Sequence, residues 1–174
     1  MKNIMLDLET MGTNNDALVT TINAVQFDLE TGETFKEFEI GIEWEEQIRH
    51  GAKIDALTVQ WWLSQSKEAQ NTMMRLDKVS VVTALIAFNN WIDDNFSNKN
   101  NTALWGNGAS FDNVILRNLY IRHNIEFVLP YWCDMDVRTL VKLKKINTRD
   151  FKFQGIKHRG IDDCKHQINY CCSK

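Results

Sequence analysis

The sequence predicts an α/β domain in which a mixed sheet of about five strands is covered by α-helices. Three observations carry that expectation. β-branched and aromatic segments open the chain, apolar residues at helical spacing follow, and short apolar runs interrupt the helical stretches. At 174 residues, 44% of them hydrophobic, the chain has the size of one unit that buries a core. A single proline, Pro130, and the absence of low-complexity tracts leave no linker, so residues 1–174 are read as one domain.

Asn3–Leu8 is a short apolar run with carboxylates appearing at its end, as expected of a buried central strand. Leu18–Asp28 and Thr34–Ile42 follow as strands joined through Glu30-Thr31-Gly32-Glu33, which makes a three-stranded meander. Thr58 is placed to cap a helix through Trp61, Trp62 and Leu63. Ser80 is placed to cap a longer one whose apolar face runs Val81, Leu85, Phe88, Ile92, Phe96. Ala103–Trp105 reads as a brief strand ending at Gly106-Asn107-Gly108, and Ser110 as the cap of a helix that turns Phe111, Ile115 and Leu119 inward. Tyr131–Met135 reads as a last short strand and Val137–Lys144 as a helix. The closing helix carries Ile161, Cys164, Ile168 and Cys171 at spacings of three and four.

No window approaches the roughly 20 apolar residues of a membrane span, and the N-terminus lacks the apolar core of a signal peptide. A cytoplasmic protein without a membrane partner is expected. Cys133, Cys164, Cys171 and Cys172 form no C-x-x-C pair and read as reduced structural thiols, and Cys164 with His166 is too sparse a pattern for zinc. The net charge of −3 argues against a protein that coats nucleic acid by charge alone. Its distribution is uneven. Lys142, Lys144, Lys145, Arg149, Lys152, Lys157 and Arg159 face one acid, Asp150, a local balance of +6 that leaves −9 for the rest of the chain. A solvated loop has this composition too, but this one leads directly into His158.

Asp7-Leu8-Glu9 puts two carboxylates at i and i+2 of a strand, on one face and about 6–7 Å apart along the backbone. Like charges that close call for a cation, and oxygen ligands suit magnesium or manganese, although an acidic strand end in water looks the same. Asp112 falls in the first turn of a helix, where the dipole favours a carboxylate. Asp163 falls near the start of the closing helix, with Asp162 as its neighbour and rival. His158 stands five residues before Asp163 and titrates near neutrality, as a water-activating base must.

Met5-Leu6-Asp7-Leu8-Glu9-Thr10-Met11-Gly12-Thr13, Asn107-Gly108-Ala109-Ser110-Phe111-Asp112 and His158-Arg159-Gly160-Ile161-Asp162-Asp163 occur in that order. Together they resemble the three motifs of the histidine-type DnaQ-like DEDD exonucleases, a branch of the ribonuclease H-like fold. The segment Leu57–Gln65 is similar to one found in phage and prophage exonucleases of the DexA and exonuclease VIII-like branch. The resemblance implies that Asp7, Glu9, Asp112 and Asp163 hold two divalent ions, Mg2+ or Mn2+, with His158 as general base and Asp162 outside the ligand set. It implies 3'-5' hydrolysis of a nucleic acid with a free 3' end, releasing nucleoside 5'-monophosphates. DNA is the favoured substrate, and an exoribonuclease would use the same residues.

Thr10, Met11 and Gly12 are then expected beside the terminal nucleotide, with Met11 packing on its base, and Trp62, Gln65, Asn107 and Phe111 are further candidates for substrate contact. For both tryptophans, Trp61 and Trp62, their size favours a core role over substrate contact. Gly160 departs from the motif, where alanine is common. A catalytically silent nucleic-acid-end binding module would be expected to lack one of these ligands, and an endonuclease of ribonuclease H type to lack the histidine element. Nothing in the sequence fixes the oligomeric state.

Overall fold

A computed structural model of the chain describes residues 2–75 and 77–173. Strands β1 (Lys2–Thr10), β2 (Val19–Phe27) and β3 (Thr34–Ile42) form the expected antiparallel meander. Its β2–β3 turn is stabilised by Asp28, whose carboxylate accepts from the Glu30 and Thr31 N–H groups at 2.9 and 2.8 Å. Gly32 there takes φ +75°, which a side chain would resist. Strands β4 (Lys78–Val79), β5 (Thr102–Gly106) and β6 (Asp134–Asp136) complete a six-stranded mixed sheet in the order β4-β3-β2-β1-β5-β6. The sixth strand was not expected, because β4 is two residues long and shows no alternation.

The period-two alternation of β1 sorts its side chains between two cores. Ile4, Leu6 and Leu8 join Ile22 and Ala24 beneath helices α4 (Val81–Asn95) and α5 (Asp112–Arg122). Met5 joins Val25, Phe27 and Trp105 beneath α6 (Val137–Lys144) and α7 (Gly160–Cys171). β1 is thus covered on both sides, which is why its sequence runs nearly apolar. A third cluster, Met11, Leu18, Ala52, Trp62 and Met73, gathers around α2 (Ala56–Leu63) and α3 (Lys67–Arg75). α3 and a short helix at Trp44–Arg49, numbered α1, were not read from the sequence.

Ser80 caps α4 as expected, accepting from the Thr83 N–H at 3.1 Å. The other two caps are corrected. α2 starts at Ala56, so Thr58 lies inside it. The residue at its cap, Asp55, gives its carboxylate to the Thr13 N–H at 2.8 Å instead of to its own helix. α5 starts at Asp112 with Phe111 at the cap position, and Ser110 makes no cap. Tyr131–Cys133 is a 3-10 turn, and only Asp134–Asp136 after it is strand. All four cysteines are free.

Candidate active site

The alternation that buries Met5 under α7 sends Asp7 and Glu9 to the same side of β1, at its carboxyl end. Asp163, in the first turn of α7, meets them there. One oxygen from each of Asp7, Glu9 and Asp163 lies within 4.8 Å of the others. Asp112 arrives from the other side of the sheet. β5 ends at Gly106, paired with Leu6, and beyond that pair the Leu8 N–H donates to Asp112 Oδ1 at 3.2 Å. The four carboxylates therefore collect where the parallel strands β1 and β5 finish, the usual place for a site in an open α/β sheet.

His158 lies just before α7 with φ +64°, in the left-handed region. Its backbone N–H bonds the Asp163 carboxylate, while its ring stands edge-on to Trp61 at 4.8 Å and to Trp62 at 6.1 Å. Trp62 is buried and anchored, its indole N–H donating to the Thr10 carbonyl at 2.9 Å. An open cleft of about 450 Å³ beside these rings is lined by Glu9, Thr10, Gly12, Trp61, Trp62 and Phe111, among others.

The structure corrects the placement of Met11. Its side chain is buried in the third cluster against Leu18 and Trp62, because its N–H is tied to the Leu18 carbonyl at 2.9 Å, so only neighbouring backbone borders the cleft. Gln65 lies outside this cleft, with its amide nitrogen on the Trp61 carbonyl at 2.9 Å, and lines a second groove beyond His158. Asn107 contributes a backbone N–H to Asp112. Asp162 turns away from the carboxylate cluster and accepts from the Ile156 N–H at 3.0 Å.

Three residues around the carboxylates were not read from the sequence. Gln167 is buried and donates to Asp7 Oδ1 at 3.1 Å; its position four residues after Asp163, on the same helical face, was the available signal. Asn23 donates to the Asp7 carbonyl at 3.2 Å, and a Cβ on residue 160 would overlap its carboxamide, which explains glycine at the departed motif position. Arg138 lies near Asp112 and favours its ionised form.

Burial dominates the electrostatics. It raises the Asp7 and Glu9 carboxyls well above their ordinary range, helped by the surrounding acids, and it raises Asp112 to about 7 and Asp163 to about 6. Asp163 Oδ2 is buried with no hydrogen-bond partner among the described residues. Four hard oxygen donors, crowded and desolvated, with one of them unsatisfied, fit divalent cations of the magnesium and manganese type.

These shifts have a sign. A carboxyl raised in the folded state contributes stability below its unfolded value, and that stability is lost as pH rises through the folded value; for Asp112 the window runs from 3.8 to about 7. The loss is on the order of 4 kcal/mol for Asp112 alone, or a melting temperature lower by roughly 10 °C. The depressed histidines, His123, His158 and His166, act in the opposite direction, adding stability as pH rises from their lowered values to 6.5. The difference between melting temperatures in Mn2+ and in chelator isolates the carboxylates. It is expected to widen from about pH 5 to about pH 8, and a constant difference would contradict the arrangement.

The family model described as the 3'-5' exoribonuclease Rv2179c-like domain matches residues 2–173. The chain belongs to this family. An exodeoxyribonuclease of Enterobacteria phage T4 is 31% identical to this Rv2179c-like chain over 126 residues, 68% of the chain and 56% of the phage protein. The chain thus spans little more than half the length of that relative. Among solved structures, the nuclease domain of 3'hExo, a DEDDh family member bound to rAMP, superposes with a TM-score of 0.65 at 12% identity. The match covers 97% of this chain and 88% of that one. E. coli exonuclease I in complex with a dT13 oligonucleotide gives 0.62 at 14% identity, covering 97% and 39%. At these identities the solved structures establish the shared ribonuclease H-like fold of DEDDh exonucleases.

Proposed function

We propose that this Rv2179c-like chain is a metal-dependent 3'-5' exonuclease that hydrolyses the terminal phosphodiester of DNA and releases nucleoside 5'-monophosphates. The observation that carries the reading is the convergence of Asp7, Glu9 and Asp163 oxygens within 4.8 Å, with Asp112 behind them and His158 above the cleft. In this reading Asp7, Glu9, Asp112 and Asp163 hold two divalent ions, Mg2+ or Mn2+, within one domain that works in the cytoplasm. Such ions supply Lewis acidity that acidifies water and offsets charge on the phosphodiester oxygens.

The protein's own groups do the rest. His158 accepts a proton from the attacking water, and burial with the nearby Lys157 charge holds its pKa below the ordinary value, so the ring is neutral at physiological pH. Trp61 and Trp62 fix the imidazole edge-on, and the Thr10–Trp62 hydrogen bond ties that bracket to the strand bearing Glu9. The terminal nucleotide occupies the cleft, its base against Trp62 and Phe111 and its sugar against the backbone of Thr10 and Gly12. Gln65 and Asn107 act through the groove beyond His158 and through Asp112 respectively.

The preference for DNA is supported by the phage exodeoxyribonuclease relative. RNA is the second reading, supported by the description of the family itself. Discrimination rests on contact to the 2'-hydroxyl, so matched DNA and RNA oligonucleotides separate the two. Labelling either end and comparing Mg2+, Mn2+ and chelator is expected to show metal-dependent loss of the 3' label as a mononucleotide. Internal cleavage, or turnover in chelator, would refute the proposal.

A further inference from the structure

Apart from the Lys157 charge beside His158, the basic segment before α7 takes no part in the chemistry above. Among the described residues, Lys142, Lys144, Lys145, Arg149, Lys152 and Lys157 form no ion pair, and all six are exposed; of the seven basic residues only Arg159 is paired, with Glu39 at 3.5 Å and Asp162 at 3.9 Å. In a chain of net charge −3, unpaired cations concentrated on one stretch need another explanation than solubility.

Two grooves lie along this stretch. The first, about 350 Å³, is lined by His158, Lys157, Ile156, Gly155 and Gln65, with Glu68 as its acid. The second, about 370 Å³, shares Gly155 and continues with Lys152, His166, Asn169 and Lys165, the last paired with Glu37 at 2.8 Å, and has Asp162 as its acid. Gly155 takes φ +97° and a Cβ there would overlap the Asp162 carboxylate, so the chain is pinched where the grooves meet. Asp162 is itself occupied by the Ile156 N–H and by Arg159, and it fixes that pinch. The second groove has an aromatic wall, because the His166 ring is braced by Phe153 at 4.8 Å and by Tyr170 at 5.4 Å. Lys157 lines the first groove with His158, and its charge also reaches His166 in the second.

We infer that the two grooves are the path of a single polynucleotide strand upstream of its 3' end, with Lys157 and Lys152 on its phosphates and the His166 ring against a base. The inference rests on the exonuclease reading and adds the substrate's form. Cations that follow a backbone, combined with a ring that offers a stacking face, suit a single strand; a duplex keeps its bases paired and presents phosphate alone.

The test separates binding from turnover. Binding of a 5'-fluorescent oligothymidylate of about 16 nucleotides, the upper end of single-strand site sizes, is followed by anisotropy in chelator. The proteins compared are the wild-type chain, Lys152→Glu and, for the same charge change outside the grooves, Arg49→Glu. Lys152 is chosen over Lys157 because the Lys157 charge also acts on His158 and Asp163. Lys152→Glu is expected to weaken binding about fivefold or more and to lower the salt slope by about 0.7 or more. Arg49→Glu is expected to leave both near wild type, and hydrolysis of a dinucleotide in Mn2+ is expected to be unchanged by Lys152→Glu.

Binding that is absent in the wild type, that is insensitive to Lys152→Glu, or that falls equally in Arg49→Glu overturns the path. So does a blunt duplex bound as tightly as the strand. A failure of the exonuclease reading shows itself separately, as no dinucleotide turnover by the wild-type chain.

Discussion

Asp7→Asn is expected to abolish measurable hydrolysis and, in chelator, to leave a folded protein that melts higher than wild type. Asp7 is buried among Glu9, Asp112 and Asp163, which disfavour its ionisation, and Gln167 donates to its Oδ1. An amide of the same shape keeps the packing, removes the desolvated charge, and weakens the cation site at its centre. Transition-state stabilisation by the ions amounts to several kcal/mol, so the loss of rate is about 10³-fold or more. Removing one of several mutually repelling buried charges relieves the metal-free protein, which is why stability and activity move in opposite directions. Thermal melts with and without Mn2+, together with single-turnover rates, check both halves. Wild-type turnover in Asp7→Asn would dismantle the site, and a melting point that falls in chelator would mean that Asp7 serves packing instead.

His158→Ala is expected to lower kcat by about 10²–10⁴, the usual contribution of a general base, with Mn2+ affinity retained. The histidine reaches the cluster through its backbone N–H on Asp163, a contact that alanine preserves, while the ring alone faces the two tryptophans. Because burial and the Lys157 charge depress the ring's pKa, the wild-type rate limited by this group rises with pH and reaches its plateau below the ordinary imidazole value, and that rise disappears in the variant. The positive φ of residue 158 favours asparagine as the control that keeps the backbone without the base. If Mn2+ affinity falls together with the rate, the ring holds metal or shapes the site and is not the base.

The fold was legible because its main elements carried local signatures, and the carboxylates because they fall in the three ordered motifs that resemble those of the DEDD exonucleases. The β-branched runs of β2 and β3, the Ser80 cap and the i, i+3, i+4 spacing of α7 all follow from short-range periodicity. What escaped was short or polar. β4 has two residues, α1 has six residues, and α3 is polar along most of its length, with Ala69 and Met73 buried. The misplaced caps at Thr58 and Ser110 have a common cause. The carboxylates beside the true starts, on the α2 cap residue Asp55 and on the first residue of α5, Asp112, accept from distant backbone at Thr13 and Leu8, which no local rule reports.

By itself the sequence determined which residues alternate across β1, and therefore that Asp7 and Glu9 share a face; the two-residue period of a strand leaves no choice. Only the tertiary structure decided what meets that face. Met11 went into the core while its neighbours lined the cleft. Of the adjacent tryptophans, which both border the cleft, Trp62 was buried and anchored on the Thr10 carbonyl while Trp61 was left exposed. Gln167 was delivered to Asp7 from 160 positions away. Such pairings are set by how helices dock on the sheet, where packing among residues remote in sequence outweighs any local preference.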